Sequence, residues 1–132
     1  MKNKLLITTV TAIAVIFLVY NFFIARASEF SVDPSKFEQL TKEKDAVILD
    51  VRSKFEFGGD KIAGAKNISY SAPDFNSSIE QLDKDKTYLV YCATGSRSSG
   101  ACRLMKEKGF KKIYNLSGGI EHWKSAGMPV TR

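Results

Sequence analysis

The chain is short of the residues from which small proteins build metal sites and disulfide frameworks. Among 132 residues there are two cysteines and one histidine. A structural zinc site needs four ligands at close spacing, and a stapled secreted fold needs more cysteine pairs, so both are excluded. Nine glycines and three prolines are too few for a low-complexity or collagen-like chain. No acidic residue occurs before Glu29. What remains is ordinary for a globular protein: 44% hydrophobic residues, 26% charged, and length enough for one compact domain.

Charge of either sign is also missing from Leu5 to Ile24, a run interrupted only by Thr8, Thr9, Thr11, Tyr20 and Asn21. As a helix it would measure about 30 Å, enough to cross a bilayer. It shows no amphipathic stripe that would fit it to one face of a core. Lys2 and Lys4 precede it and Ala25-Arg26-Ala27 follows. Two readings of residues 1–27 stand side by side. The small-residue spacing suits a signal peptide cleaved before Ser28, whereas the length of the run suits a single transmembrane anchor through 5–24. Either way the lysines stay in the cytoplasm and residues 28–132 lie outside it. The expected location is therefore exported: periplasmic, or anchored in the cytoplasmic membrane. The formal charge of +6 shrinks accordingly. Residues 28–132 carry 17 basic and 14 acidic side chains, a net of +3, and a nucleic-acid partner is not expected.

Beyond the run, strand and helix signals alternate. Asp33-Pro34 is a helix start, with Phe37 and Leu40 on one face. Ala46–Val51 and Thr87–Cys92 read as strands buried on both sides, Lys112–Leu116 as a third and Ala65–Ser69 as a shorter one. Helices are expected over Ser53–Phe57, Asp74–Leu82, Arg97–Lys108 and from Gly118-Gly119 to Ser125. That order implies an α/β domain with a mostly parallel sheet, whose chemistry sits at the carboxyl ends of the strands.

One segment has the makings of a reactive site. Cys92 ends a strand, Ala93-Thr94-Gly95-Ser96 are small, and Arg97 opens a helix. Small residues let the backbone curl so that its N–H groups converge, and the helix dipole points at the same spot. A thiolate held there is stabilised and nucleophilic at neutral pH, and the cradle favours a small anionic substrate. Cys102 falls on the core side of its helix and reads as a buried apolar residue. His122 reads as an exposed bystander.

With these residues in place, the chain resembles the single-domain rhodanese-like sulfurtransferases. The loop Cys92–Arg97 matches the family's six-residue active-site loop. Leu49-Asp50-Val51-Arg52, Glu56-Phe57 and Ile62-Ala63-Gly64-Ala65-Lys66-Asn67-Ile68 resemble its first signature, and Gly118-Gly119-Ile120, Trp123 and Ala126-Gly127-Met128-Pro129-Val130 its last. One departure stands out: Asp60-Lys61 occupies the place of the family's usual Gly-His pair.

The resemblance implies a rhodanese-like domain over 30–131, with a central parallel sheet of about five strands and helices on both faces, preceded by the hydrophobic helix. It implies a thiosulfate sulfurtransferase in which Cys92 is the catalytic residue and carries the sulfur as a persulfide. The backbone of Ala93, Thr94, Gly95, Ser96 and Arg97 would bind the substrate, and Arg97 would attract the donor's charge. Asp50, Arg52 and Glu56 are expected to form a buried ionic network that supports the loop. The implied partners are a small anionic sulfur donor and a thiol or cyanide acceptor, with the protein acting as a monomer and no metal or organic cofactor required. Two other readings remain: a non-catalytic binding or sulfur-carrier module, and a cysteine-dependent phosphatase or arsenate reductase. The latter class spaces its cysteine and arginine one residue further apart.

Overall fold

The structure is a computed structural model and describes residues 2–132. Met1 lies outside the described residues, as do the side chains at 2, 3, 5 and 26–28. The charges of Lys2 and Arg26 and the small-residue site at 25–27 therefore receive no structural account. The elements are α1 (Lys2–Ser28), β1 (Ser31–Val32), α2 (Pro34–Leu40), β2 (Ala46–Asp50), α3 (Lys54–Phe57), β3 (Lys66–Asn67), α4 (Phe75–Glu80), β4 (Thr87–Tyr91), α5 (Ser96–Glu107), β5 (Lys112–Leu116) and α6 (Gly119–Ser125).

The strands form one sheet in the order β1-β5-β4-β2-β3, with every pairing parallel. All five residues of β4, at its centre, are buried. Their side chains alternate between two cores, as period-two geometry requires. Tyr88, Val90 and Cys92 face Phe75, Ile79, Ala101, Cys102 and Met105 of α4 and α5. Leu89 and Tyr91 face Phe37, Leu40, Ile120 and Trp123 of α2 and α6. The sheet is thus covered on both faces, as the strand–helix alternation implied.

Local patterning gave four of the five strands. The fifth, β1, is two residues at the sheet edge, Ser31 opposite Asn115 and Val32 opposite Leu116. In the sequence these two read only as the approach to a helix. That helix start is present: Asp33 caps α2 by accepting from the Lys36 N–H at 2.8 Å. The expected strand Ala65–Ser69 shrinks to Lys66–Asn67. Beyond it Ile68 and Tyr70 N–H still donate to the Asp50 and Val51 carbonyls at 3.0 Å each, and Asn67 Nδ2 donates to the carbonyls of Asp50 and Arg52 at 2.9 Å each.

The Asp60-Lys61 departure is absorbed without a gap. Lys61 exchanges two 2.8 Å backbone hydrogen bonds with Thr131, which ties the C-terminus to the domain.

Within α1, Leu6–Ala25 is long and apolar enough to cross a membrane and is wholly unburied. Thr8, Thr9, Thr11 and Asn21 each donate to a carbonyl about one turn earlier, so their polar atoms are satisfied within the helix. Only Glu29 and Phe30 separate α1 from β1. The Phe30 carbonyl accepts from Asn115 N–H at 2.8 Å, and Glu29 pairs with Lys106 near the end of α5. The connector therefore joins the domain at the edge strand β1, level with the last residues of β5.

Candidate functional site

At the carboxyl end of the sheet, β4 runs out at Tyr91 and the chain turns through Cys92 to Gly95 before α5 begins. Gly95 is the N-cap of α5 at φ 102°, a conformation that side chains strain to adopt. The turn aims its N–H at Cys92 Sγ, 3.0 Å away. The loop is held from behind by α6, where Ile120 N–H donates to the Cys92 carbonyl at 2.9 Å and Glu121 N–H to the Ala93 carbonyl at 3.1 Å. With those carbonyls engaged outward, the amides that follow are left facing the sulfur. Gly119 makes this approach possible: a Cβ there would stand 2.4 Å from the Ala93 carbonyl carbon.

Cys92 is fully buried. Burial pushes its thiol pKa up. Hydrogen bonds from the Ser98 hydroxyl and from the backbone at Ser98, Gly95 and Thr94 outweigh that effect and leave it below the ordinary thiol value. Ser98 was not among the residues singled out from the sequence. Its buried hydroxyl lies 3.3 Å from Sγ and 3.2 Å from the Gly95 carbonyl, so its single proton can serve either. The only signal for it is its place directly after Arg97, in the first turn of the helix that follows the loop. Cys102, by contrast, lies among apolar side chains, and burial drives its thiol far above the usual range. Both cysteines are free thiols. His122 is exposed and its Nδ1 lies 2.8 Å from the Ser117 carbonyl oxygen.

The three expected support residues separate into two groups. Asp50 and Arg52 form a buried pair, with Arg52 Nη2 2.7 Å from Asp50 Oδ2 and 2.9 Å from the Asp60 carbonyl oxygen. Glu56 is outside that network, which corrects the expectation of one ionic cluster. The capping box of α3 decides its placement. Ser53 caps the helix, and its N–H and hydroxyl donate to Glu56 Oε2 at 3.0 and 2.9 Å, which fixes the carboxylate beside α5. There Arg97 Nη1 and Nη2 donate to Glu56 Oε2 and Oε1 at 2.8 and 2.9 Å. This fork-to-fork pair, half-buried on both sides, is the strongest geometry available to two such groups. The Arg97 guanidinium, followed by the Ser53 bonds, holds the Glu56 carboxyl down at about 2, against the opposing effect of burial.

Comparison with known proteins decides what family of sites this is. The family model described as "Rhodanese-like domain" matches residues 33–126. The chain belongs to the rhodanese-like family. A Coxiella burnetii protein named thiosulfate sulfurtransferase GlpE is 39% identical over 87 residues, covering 66% of this chain and 79% of that one. A Pseudomonas putida protein of the same name is 33% identical over 100 residues, covering 74% and 88%. Among solved structures, a rhodanese-related protein from Thermoplasma volcanium aligns with a TM-score of 0.68 at 33% identity, covering 76% of this chain and 96% of that one. A Rhodopseudomonas palustris protein described as a possible tyrosine phosphatase aligns with a TM-score of 0.64 at 25% identity, covering 81% and 92%. The rhodanese-like domain and these sulfurtransferase relatives place the chain in a sulfurtransferase family.

Proposed function

We propose that the protein is a thiosulfate sulfurtransferase of the rhodanese type working through Cys92. The observation that carries this reading is the buried sulfur ringed by N–H and O–H donors. In the first half-reaction the Cys92 thiolate attacks the outer sulfur of thiosulfate. The Sγ–S bond forms, the donor's S–S bond breaks, and sulfite departs with the electron pair. In the second, a thiol or cyanide attacks the outer sulfur of the persulfide and releases the thiolate, giving a ping-pong cycle. The charge on sulfur is present throughout, and the amides of Ala93 to Arg97 would cradle it. Arg97, at the start of α5, would attract the anionic end of the donor. The Asp50–Arg52 pair supports the turn beneath. The cycle needs no metal or organic cofactor, and the chain acts as a monomer.

Thiosulfate:cyanide turnover of the full chain tests the reading: activity is expected in the parent and in Cys102→Ser, and none in Cys92→Ser. A parent that never gains one sulfur atom (about 32 Da by mass) on thiosulfate treatment would point instead to a binding module. The likeness to the possible tyrosine phosphatase makes phosphatase chemistry the second reading. Turnover of p-nitrophenyl phosphate that is lost in Cys92→Ser would favour it.

Leu6–Ala25 is assigned as a single transmembrane anchor, with the rhodanese-like domain over 30–131 outside the cytoplasm. Support comes from its apolar length, its complete lack of packing on the domain, and polar side chains that bond inside the helix. Cleavage before Ser28 remains the competing assignment; the N-terminal sequence of the membrane-extracted protein separates the two.

A further inference from the structure

Resting on the sulfurtransferase reading above, we propose that Glu56 sets the donor preference of the Cys92 site, favouring persulfides that carry at most one charge over the thiosulfate dianion. The guanidinium that opens α5 is the cation an anionic donor would meet at this loop. Both of its Nη atoms are already donated to one carboxylate, at 2.8 and 2.9 Å. That carboxylate is not a loose surface group that swings aside. Its Oε2 also receives the N–H and hydroxyl of Ser53, so it is built into the cap of α3. Of the other arginines in the loop's surroundings, Arg52 is buried and spent on Asp50 and the Asp60 carbonyl, and Arg103 donates to the Ser99 hydroxyl at 3.0 Å on the far side of α5's first turn from Glu56's cap.

A donor arriving at Cys92 therefore meets a neutralised ion pair. Thiosulfate must compete with that carboxylate for the fork. A persulfide R–S–S⁻ with an uncharged R group brings one charge and needs no cation for its leaving group. The Cys92 thiolate attacks its outer sulfur, the Sγ–S bond forms, the donor's S–S bond breaks and RS⁻ departs. The amide cradle serves both donors alike, so the discrimination falls on the ion pair.

The test uses the full chain in detergent and reads sulfur loading of Cys92 by intact mass, with thiosulfate and the persulfide of mercaptoethanol as donors. In the parent, persulfide loads faster. In Glu56→Gln, which keeps a side chain able to cap α3, the thiosulfate-to-persulfide loading ratio rises about tenfold, as release of one guanidinium to a dianion predicts. The gain lies in the half-saturating thiosulfate concentration and not in the limiting rate. Ser53→Ala loosens the hold on the carboxylate while keeping its charge, and it raises the ratio by less than Glu56→Gln does. A ratio that Glu56→Gln leaves unmoved or lowers, or one that Ser53→Ala raises equally, overturns the inference. A parent that loads from neither donor overturns the sulfurtransferase reading itself, and is told apart by that result.

Discussion

Ser98 has the most direct hold on the state of Cys92 of any side chain near it. Its hydroxyl is the largest of the influences that lower the thiol pKa, set against the burial that raises it. A lowered pKa means the thiolate persists to lower pH, and sulfur loading falls only as pH drops through it. Ser98→Ala moves the loading-rate profile toward alkaline pH. At neutral pH it slows loading about tenfold, the worth of one hydrogen bond to a charged acceptor; an unshifted pH profile would show that the amides alone set the thiolate. Cys102 has the opposite character. Its thiol sits among apolar side chains, and Cys102→Ser buries a hydroxyl with no partner there, which lowers stability by about 1–3 kcal/mol in a urea melt while sulfur loading persists. The contrast between the two cysteines was legible in the sequence, because a strand end followed by four small residues differs from a helix face. Ser98 was not legible. A serine one turn into a helix is neutral by propensity, and only the helix phase set by Gly95 points it at the sulfur.

Between elements, the contact of α6 with the Cys92 loop has the least tolerance. Gly119 stands at φ 63° with the Ala93 carbonyl where a Cβ would go. Gly119→Ala must push α6 off the loop or strain both. The expected cost is about 2–4 kcal/mol of stability by chemical denaturation, with sulfur loading reduced more steeply than stability alone explains, because the freed carbonyls can turn toward the sulfur. A variant that loads normally would show the loop to be self-supporting. The Gly118-Gly119 pair was visible in the sequence as a helix start, but its role as a close approach to another backbone was not. That depends on β4 and β5 being neighbours, a long-range fact no local pattern carries. The same holds for Glu56: Glu56-Phe57 was singled out, yet its partner lies 41 residues away in the sequence. β1 was missed for a simpler reason. Two residues have no periodicity, and their strand character comes wholly from pairing with β5.

The whole molecule divides into two parts of opposite surface character. The sheet and its covering helices have an apolar interior on each face, whereas α1 turns its apolar surface outward along its length. This division was the most legible part of the sequence, because an uncharged run and an alternation of strand and helix are both long-wavelength signals. It predicts that the full chain floats with phosphatidylcholine vesicles in a density gradient and resists alkaline extraction, while residues 28–132 alone stay in the soluble fraction. Equal partition of the two would remove α1 as an anchor.

The two-residue connector at Glu29 and Phe30 has one more consequence. Fully extended it spans about 7 Å, so it works as a short leash, and it is fastened to the start of the edge strand β1. By register Ser31 is level with Asn115 and Val90, so Cys92, which follows the carboxyl end of β4, lies two residues further along the sheet, or about 7 Å. If α1 lies in a bilayer, so short a leash lets the domain pivot but keeps it moored at the membrane surface. The Cys92 loop would then draw its donors and acceptors from the layer of water next to the lipid.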